Sequence, residues 1–160
     1  MRIESTRFGA FDVADDALLR FPRGLAGFPG SARYALLARS PEDPFYWLHS
    51  ADEPGVAFPV TDPWAFHPKY QLEIGDDDLA LLETSDPAEL GFFAVVVIAP
   101  DPAASTINLL APVVVNLERR LGAQVLNKVE ASPSAPLFAG EVDEPRSPAK
   151  AGAITLLPGA

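Results

Sequence analysis

A chain of 160 residues with no cysteine and a formal net charge of −10 is sized for one domain with a tail. The missing thiols exclude disulfides, thiolate zinc sites and a cysteine nucleophile, and they fit a reducing compartment. The acidity disfavours direct nucleic-acid binding, because phosphates are repelled by a surface of their own sign.

The opening M-R-I-E-S-T-R-F has acid and base but no apolar h-region, so no secretory signal is read there. The longest apolar run, Phe92–Pro100, has nine residues, too few to span a bilayer. The expectation is a cytoplasmic protein without a membrane partner. Prolines and glycines then punctuate short segments rich in Val, Leu, Phe and Tyr, the pattern of an antiparallel β protein. The predicted strands are Arg2–Phe8, Ala17–Phe21, Arg33–Arg39, Tyr46–Ser50, Val56–Thr61, Tyr70–Ile74, Gly91–Ala99, Ser105–Leu109, Pro112–Asn116 and Ala123–Val129. Pro59 and Pro112 belong at an edge, a bulge or a strand start, where no ladder donor is needed.

The one short helix the sequence offers extends from the Asp76–Asp78 run through Leu79–Leu82, with aspartate favouring its N-terminal dipole; a turn feeding a strand is the equal alternative there. The link Asn116–Gly122 reads as a hairpin connection that pairs Val113–Val115 with Gln124–Leu126. After Glu130 the composition changes: half of Ala131–Ala160 is Pro, Gly or Ala, which predicts a flexible tail behind a 1–130 domain. Ala153–Leu157 is the one stretch of that tail apolar enough to dock.

Charge is unevenly spread. From Glu42 to Glu89 there are twelve acidic residues and one base, Lys69, a composition that attracts a basic protein surface. Aromatic residues cluster in the same stretch: Phe45, Tyr46, Trp47, Phe58, Trp64 and Phe66. Half of them suit core packing at strand spacing, and the rest suit interface anchors.

Signals for chemistry are weak. The only histidines are His49 and His67, no G-x-S-x-G elbow is present, and His49, Ser50 and Asp52 are too close in one strand to form a triad. An enzyme built on His49, Asp62 and His67 is the alternative reading. His67 with Asp76–Asp78 lacks any established metal spacing, and Gly24, Gly27 and Gly30 lack a phosphate-loop order. No catalytic residue, metal or cofactor is assigned.

Thr106–Asn116, T-I-N-L-L-A-P-V-V-V-N, is the most informative segment, since an amide among Leu and Val must have its donors and acceptors met. Asn116 is expected to hold turn backbone, and Asn108 to face a partner beside the break at Ala111-Pro112. The motif T-x-N-L-x-A-P-V-x-x-N, followed by G-x-Q-V at Gly122–Val125, is similar to the flagellar assembly factor FliW family. So are F-P-x-G-L-x-G-F at Phe21–Phe28, P-F-x-W-L-x-S at Pro44–Ser50, A-F-x-V-x-D-P at Ala57–Pro63 and P-K-Y at Pro68–Tyr70. The likeness covers residues 1–130. Ala26 and Pro29 depart from the usual proline and glutamate, His49 replaces a usual glutamine, and Asn127 interrupts the last strand.

The resemblance implies a mainly β fold, a small antiparallel β-barrel-like single domain with at most two short helices. It also implies a non-enzymatic regulator that binds the translational repressor CsrA, relieving repression of flagellin mRNA, and that binds flagellin; a flagellin-only chaperone is a narrower alternative. The partner-contact residues expected are Phe45, Trp47, His49, Asp62, Thr106, Asn108, Leu109 and Pro112.

Overall fold

The computed structural model describes residues 1–138 and 154–157, and every structural statement concerns these residues. A two-stranded ribbon, β1 (Arg2–Ile3) and β2 (Phe11–Asp12), opens the chain. There follow β3 (Leu19–Arg20), β4 (Arg33–Ala38), β5 (Phe45–Ser50) and β6 (Ala57–Thr61). Two short helices, α1 (Pro63–Phe66) and α2 (Asp76–Leu81), lie between β6 and β7 (Gly91–Val97). Then come β8 (Thr106–Ile107), β9 (Val113–Asn116), β10 (Leu121–Gln124), β11 (Ala135–Pro136) and β12 (Ile154–Leu156).

Seven strands close on themselves in the order β7-β6-β5-β4-β3-β10-β9, with β9 returning to pair with β7. Closure pairs most of the strand edges that would otherwise template association, while part of β4 is left unpaired by β3. All neighbours in the ring are antiparallel except β3 and β10, which meet in parallel at Arg20 and Leu121. Strands β8 and β11 extend sideways from β7, and β12 pairs with β4.

Successive residues of a strand point to opposite faces, and here both faces are covered. Tyr34, Leu36, Leu48, Val60, Phe93, Val113 and Val115 fill the barrel interior. The alternate row is also buried outside the barrel. Ala35 and Leu37 lie under the N-terminal ribbon, Ala94 and Val96 under α1 and β11, and Val114, Leu121 and Ala123 under the α2 segment. Two buried faces explain continuous apolar runs such as F-F-A-V-V-V, and each Leu, Val or Phe sealed this way contributes roughly 1.5–3 kcal/mol.

Besides α1, where no helix was expected and where Asp62 ahead of Pro63 accepts from the Trp64 N–H, the structure differs from the sequence expectations in four places. Tyr70–Ile74 is not a strand, because its polar backbone is met by a side chain: Asn127 Oδ1 accepts from the Glu73 N–H, and Asn127 Nδ2 donates to the Gln71 carbonyl. The hairpin register is tighter, pairing Val113–Val115 with Gly122–Gln124. Arg120 takes the left-handed conformation at φ 55° and Asn116 Oδ1 accepts from the Arg119 N–H, so four residues suffice for the turn. The predicted first strand stops at Ile3, where Ser5 and Gly9 exchange backbone hydrogen bonds in a tight turn that leads to the unforeseen β2.

The fourth difference is the domain boundary. The chain continues past Glu130: Ala135–Pro136 pair with β8, and Leu137 is 2% exposed beside Ile107 and Leu109. Leu157 is buried as well, so two parts of the expected flexible tail join the fold; residues 139–153 and 158–160 lie outside the described residues.

Candidate functional site

The C-terminal ends of β3, β5, β7 and β10 and the N-terminal ends of β4, β6 and β9 share one mouth of the barrel. The β3–β4 connection folds into that mouth with Phe21 and Leu25 buried in the core. Gly24 is required there: its φ is +64°, and a Cβ would meet the Phe28 carbonyl oxygen at 2.9 Å. Gly122 is required for a different reason, since a Cβ would lie 2.4 Å from the Phe21 ring.

Gln124 ties two loops together. Its Oε1 accepts from the Ala26 N–H at 3.0 Å, and its Nε2 donates to the Ala111 carbonyl at 3.1 Å. The glycine-rich loop, the A-P break and the G-x-Q-V strand, separated in sequence, are therefore one structural unit. Above it lies an open depression of about 280 Å³ lined by Leu25, Ala26, Ala111 and Val125.

This end of the barrel also exposes apolar side chains. Leu126 is 67% exposed, Val97 63%, Ile98 55% and Phe28 36%. Val97 extends the inward-facing row Phe93 and Val95 beyond the interior, and the Phe28 ring stands edge-on to Phe58, 5.1 Å away. All four large side chains face water at the same end of the barrel.

The eight residues expected at a partner surface fall into two separate groups. Phe45, Trp47 and His49 do share the outer row of β5, but this chain covers that row itself: Phe66 stacks on Phe45 at 5.5 Å, Phe8 meets Trp47 at 5.5 Å, and Phe11 meets His49 at 5.7 Å. Asp62 is buried at the N-terminus of α1, where its Oδ1 accepts from the Trp64 N–H. Thr106, Asn108, Leu109 and Pro112 belong to the mouth. Leu109 and Pro112 are buried, and Thr106 pairs with Val97. Asn108 Oδ1 accepts from both the Leu110 and Ala111 N–H groups, so its carbonyl braces the turn that leads to Pro112. The residues sequence reasoning missed are Phe28, Val97, Ile98 and Leu126; for Val97 and Ile98 the signal was an apolar run that continues to the very end of its strand and beyond.

A family model described as FliW protein matches residues 2–137. The chain belongs to the FliW family. It is 37% identical over 126 residues to the flagellar assembly factor FliW of Syntrophus aciditrophicus, covering 79% of this chain and 80% of that protein. To the flagellar assembly factor FliW of Desulfitobacterium hafniense strain Y51 it is 37% identical over 139 residues, 86% of this chain and 91% of the relative. A crystal structure of the flagellar assembly factor FliW superposes with a TM-score of 0.80 at 26% identity, over 89% of this chain and all of the other.

Within this FliW-family barrel the acidic stretch does not form one face. Glu42 and Asp43 lie at one end of the β4–β5 hairpin, and Asp52 and Glu53 lie at the other. Burial opposes ionisation of Asp52, but the Arg33 guanidinium and the Arg33 and Ala32 N–H groups outweigh it and hold its carboxyl below the usual range. Asp78 pairs with Arg23 at 2.8 Å, beside Asp76, Asp77 and Lys128 in a polar cleft of about 560 Å³ next to Leu126.

The histidines have separate structural roles. His49 is fully buried; its Nδ1 donates to the Ser50 carbonyl at 2.7 Å and its Nε2 accepts from Ser5 Oγ at 2.7 Å. Burial lowers its pKa, with the Ser50 carbonyl partly opposing, so the imidazole is neutral near pH 7. Ser5 Oγ is in turn engaged by the Arg7 and Phe8 N–H groups, bracing the ribbon turn. His67 meets the Pro136 carbonyl at 2.8 Å at the other end of α1 from Asp62. The structure thus does not assemble His49, Asp62 and His67 into one centre. Among the described residues no group of three or more metal-ligating side chains occurs, and no helix is long and apolar enough to cross a membrane.

Proposed function

We propose that this FliW-family chain is a non-enzymatic, cytoplasmic protein-binding regulator of flagellin synthesis and flagellar assembly. It binds a CsrA-type RNA-binding repressor, relieving repression of flagellin mRNA, and it binds flagellin. The relatives' name, flagellar assembly factor, supports the flagellar role. The observation that carries the binding role is the set of exposed apolar side chains Phe28, Val97, Ile98 and Leu126 at the barrel end where the Phe21–Phe28 loop and the Gly122–Val125 strand meet. An apolar centre edged by charge is the anatomy of a protein interface. Acidic Asp76 and Asp77 beside Leu126 suit a partner with basic surface, as an RNA-binding repressor must have. Thr106, Asn108, Leu109 and Pro112 then act mainly by shaping the loop at this end of the barrel.

The test is a full-length Val97→Ser/Leu126→Ser double variant titrated with CsrA and with flagellin. Both side chains already face water, so the melting temperature stays within a degree or two, while affinity for at least one partner falls by about 2 kcal/mol, roughly thirtyfold. Unchanged affinity for both partners would move the interface away from this mouth.

A further inference from the structure

The edge of β4 is shared between two strands of very different origin. Strand β3 pairs only with Arg33 and Tyr34, leaving the backbone of Leu36–Ala38 open on that side. There β12 adds in parallel, with Ile154, Thr155 and Leu156 opposite Leu36, Leu37 and Ala38, and the Leu157 N–H donates to the Ala38 carbonyl at 2.9 Å. Leu157 enters the apolar cluster of Ile3, Phe11, Val13, Ala35 and Leu37, between β4 and the N-terminal ribbon.

The occupant is not part of the barrel's own circuit. The family match ends at residue 137, whereas β3, β4 and the ribbon all lie within it. Among the described residues β12 has β4 as its only strand neighbour, and residues 139–153 separate it from the rest of the fold in sequence. The edge and the apolar cluster that encloses Leu157 therefore lie within the family-matched residues, and Ile154–Leu157 reaches them from beyond those residues.

We propose that the β4 edge at Leu36–Ala38 is a strand-addition site for an extended apolar peptide segment of a protein partner, and that Ile154–Leu157 is its tethered competitor. Main-chain hydrogen bonds to the open edge supply affinity, and the cavity that accepts Leu157 selects an uncharged aliphatic side chain at that position. A three-residue parallel strand with one buried anchor gains little beyond the entropy lost in ordering it, so exchange is feasible. Tethering compensates by keeping the segment at an effective concentration on the order of millimolar.

The experiment uses a fluorescent peptide of sequence A-I-T-L-L-P, residues 153–158, against three full-length proteins: the unaltered chain, Leu157→Asp and Thr155→Pro. Leu157→Asp places a charge in the cavity, and Thr155→Pro withdraws a donor from the strand. Because the two act differently, one remains informative if the other fails a thermal-melt check. Expected is binding to both variants at least about tenfold tighter than to the unaltered chain, the ratio for a site occupied by its own segment nine-tenths of the time. A control peptide with aspartate in place of the second leucine should bind to none. The proposal is overturned if the A-I-T-L-L-P peptide binds none of the three proteins, or binds all three equally. Neither CsrA nor flagellin enters the assay, so its outcome is independent of the function proposed above.

Discussion

The two ends of the barrel are finished differently. At the end formed by the β4–β5 and β9–β10 turns, the exposed side chains include Arg39, Glu42, Glu118, Arg119 and Arg120. At the other end Arg23, Arg33, Asp52 and Glu53 are joined by the exposed apolar side chains Phe28, Val97, Ile98 and Leu126. The same strands run through both ends, and the same interior packs between them. Foldability alone therefore does not account for the apolar mouth: a barrel whose one end closes with charged turns could close the other in the same way. On the function proposed above, the contrast separates residues that complete the structure from residues that meet a partner, and it can be challenged by substitution at each end.

The largest effect is expected at Gly122. A Cβ there would stand 2.4 Å from the Phe21 ring, which is fully buried and cannot swing aside. Gly122→Ala should cost about 3 kcal/mol, lowering the melting temperature by about 6–12 °C. Partner affinity should fall with it, because Phe21 anchors the loop bearing Phe28. A melt unchanged within a degree would mean that the loop is not packed on β10 and that the mouth is looser than its contacts indicate.

The two asparagines compare the ends directly. Asn116, 4% exposed at the charged end, donates to the Leu82 carbonyl at 2.7 Å and accepts from the Arg119 N–H. Asn116→Ala leaves a buried carbonyl unmet and should cost about 1–3 kcal/mol. Asn108, half-buried at the apolar end, braces two N–H groups that water can reach in its absence, so Asn108→Ala should cost about 1 kcal/mol. Paired denaturant titrations check the order. If Asn108→Ala is the more damaging, the apolar end is the structural keystone and its rim is not spare surface.

The smallest effect lies in the wall between the ends. His49 has its pKa lowered by burial, so the unfolded chain takes up a proton at a higher pH than the folded one. Stability from this group is complete above about pH 6.5 and declines as pH falls below it, since more protons are then bound by the unfolded state. His49→Gln should therefore flatten the loss of stability between pH 7.5 and 5.5 relative to the unaltered chain. Parallel curves for the two proteins would show that His49 does not titrate differently on folding.

Much of the fold was legible because strand periodicity and proline punctuation are local signals. Residues 33–38, 57–61 and 91–97 fall where alternation and breakers place them. The family motifs led to the barrel, and the structure shows why they recur together: Gly122 makes room for Phe21, and Gln124 joins the loops of Ala26 and Ala111. What escaped was non-local. Nothing near Tyr70–Ile74 reveals that Asn127 satisfies its backbone, and nothing in the Pro/Ala-rich composition reveals that Leu137 and Leu157 each find an apolar cluster. The aromatic row Phe45, Trp47 and His49 looked like an interface because an interface and an intramolecular cover require the same side chains. Only the positions of the N-terminal ribbon and of α1 tell them apart.

The junction of β3 with β10 also sets a timetable. Arg20 and Leu121 meet across about a hundred residues of intervening chain. At synthesis rates of about 5–20 residues per second, β3 leaves the ribosome roughly 5–20 s before its neighbour exists. During that interval the hairpins of β4, β5 and β6 can form as an open, curved sheet whose inner face, Tyr34, Leu36, Leu48 and Val60, has no opposite wall. Non-local closure of this kind is slow to nucleate, and the delay makes the nascent chain a client for whatever shields apolar surface at the exit tunnel. A protein that ends with apolar side chains exposed at one mouth begins, on this timetable, as a half-barrel whose whole inner face is apolar and uncovered.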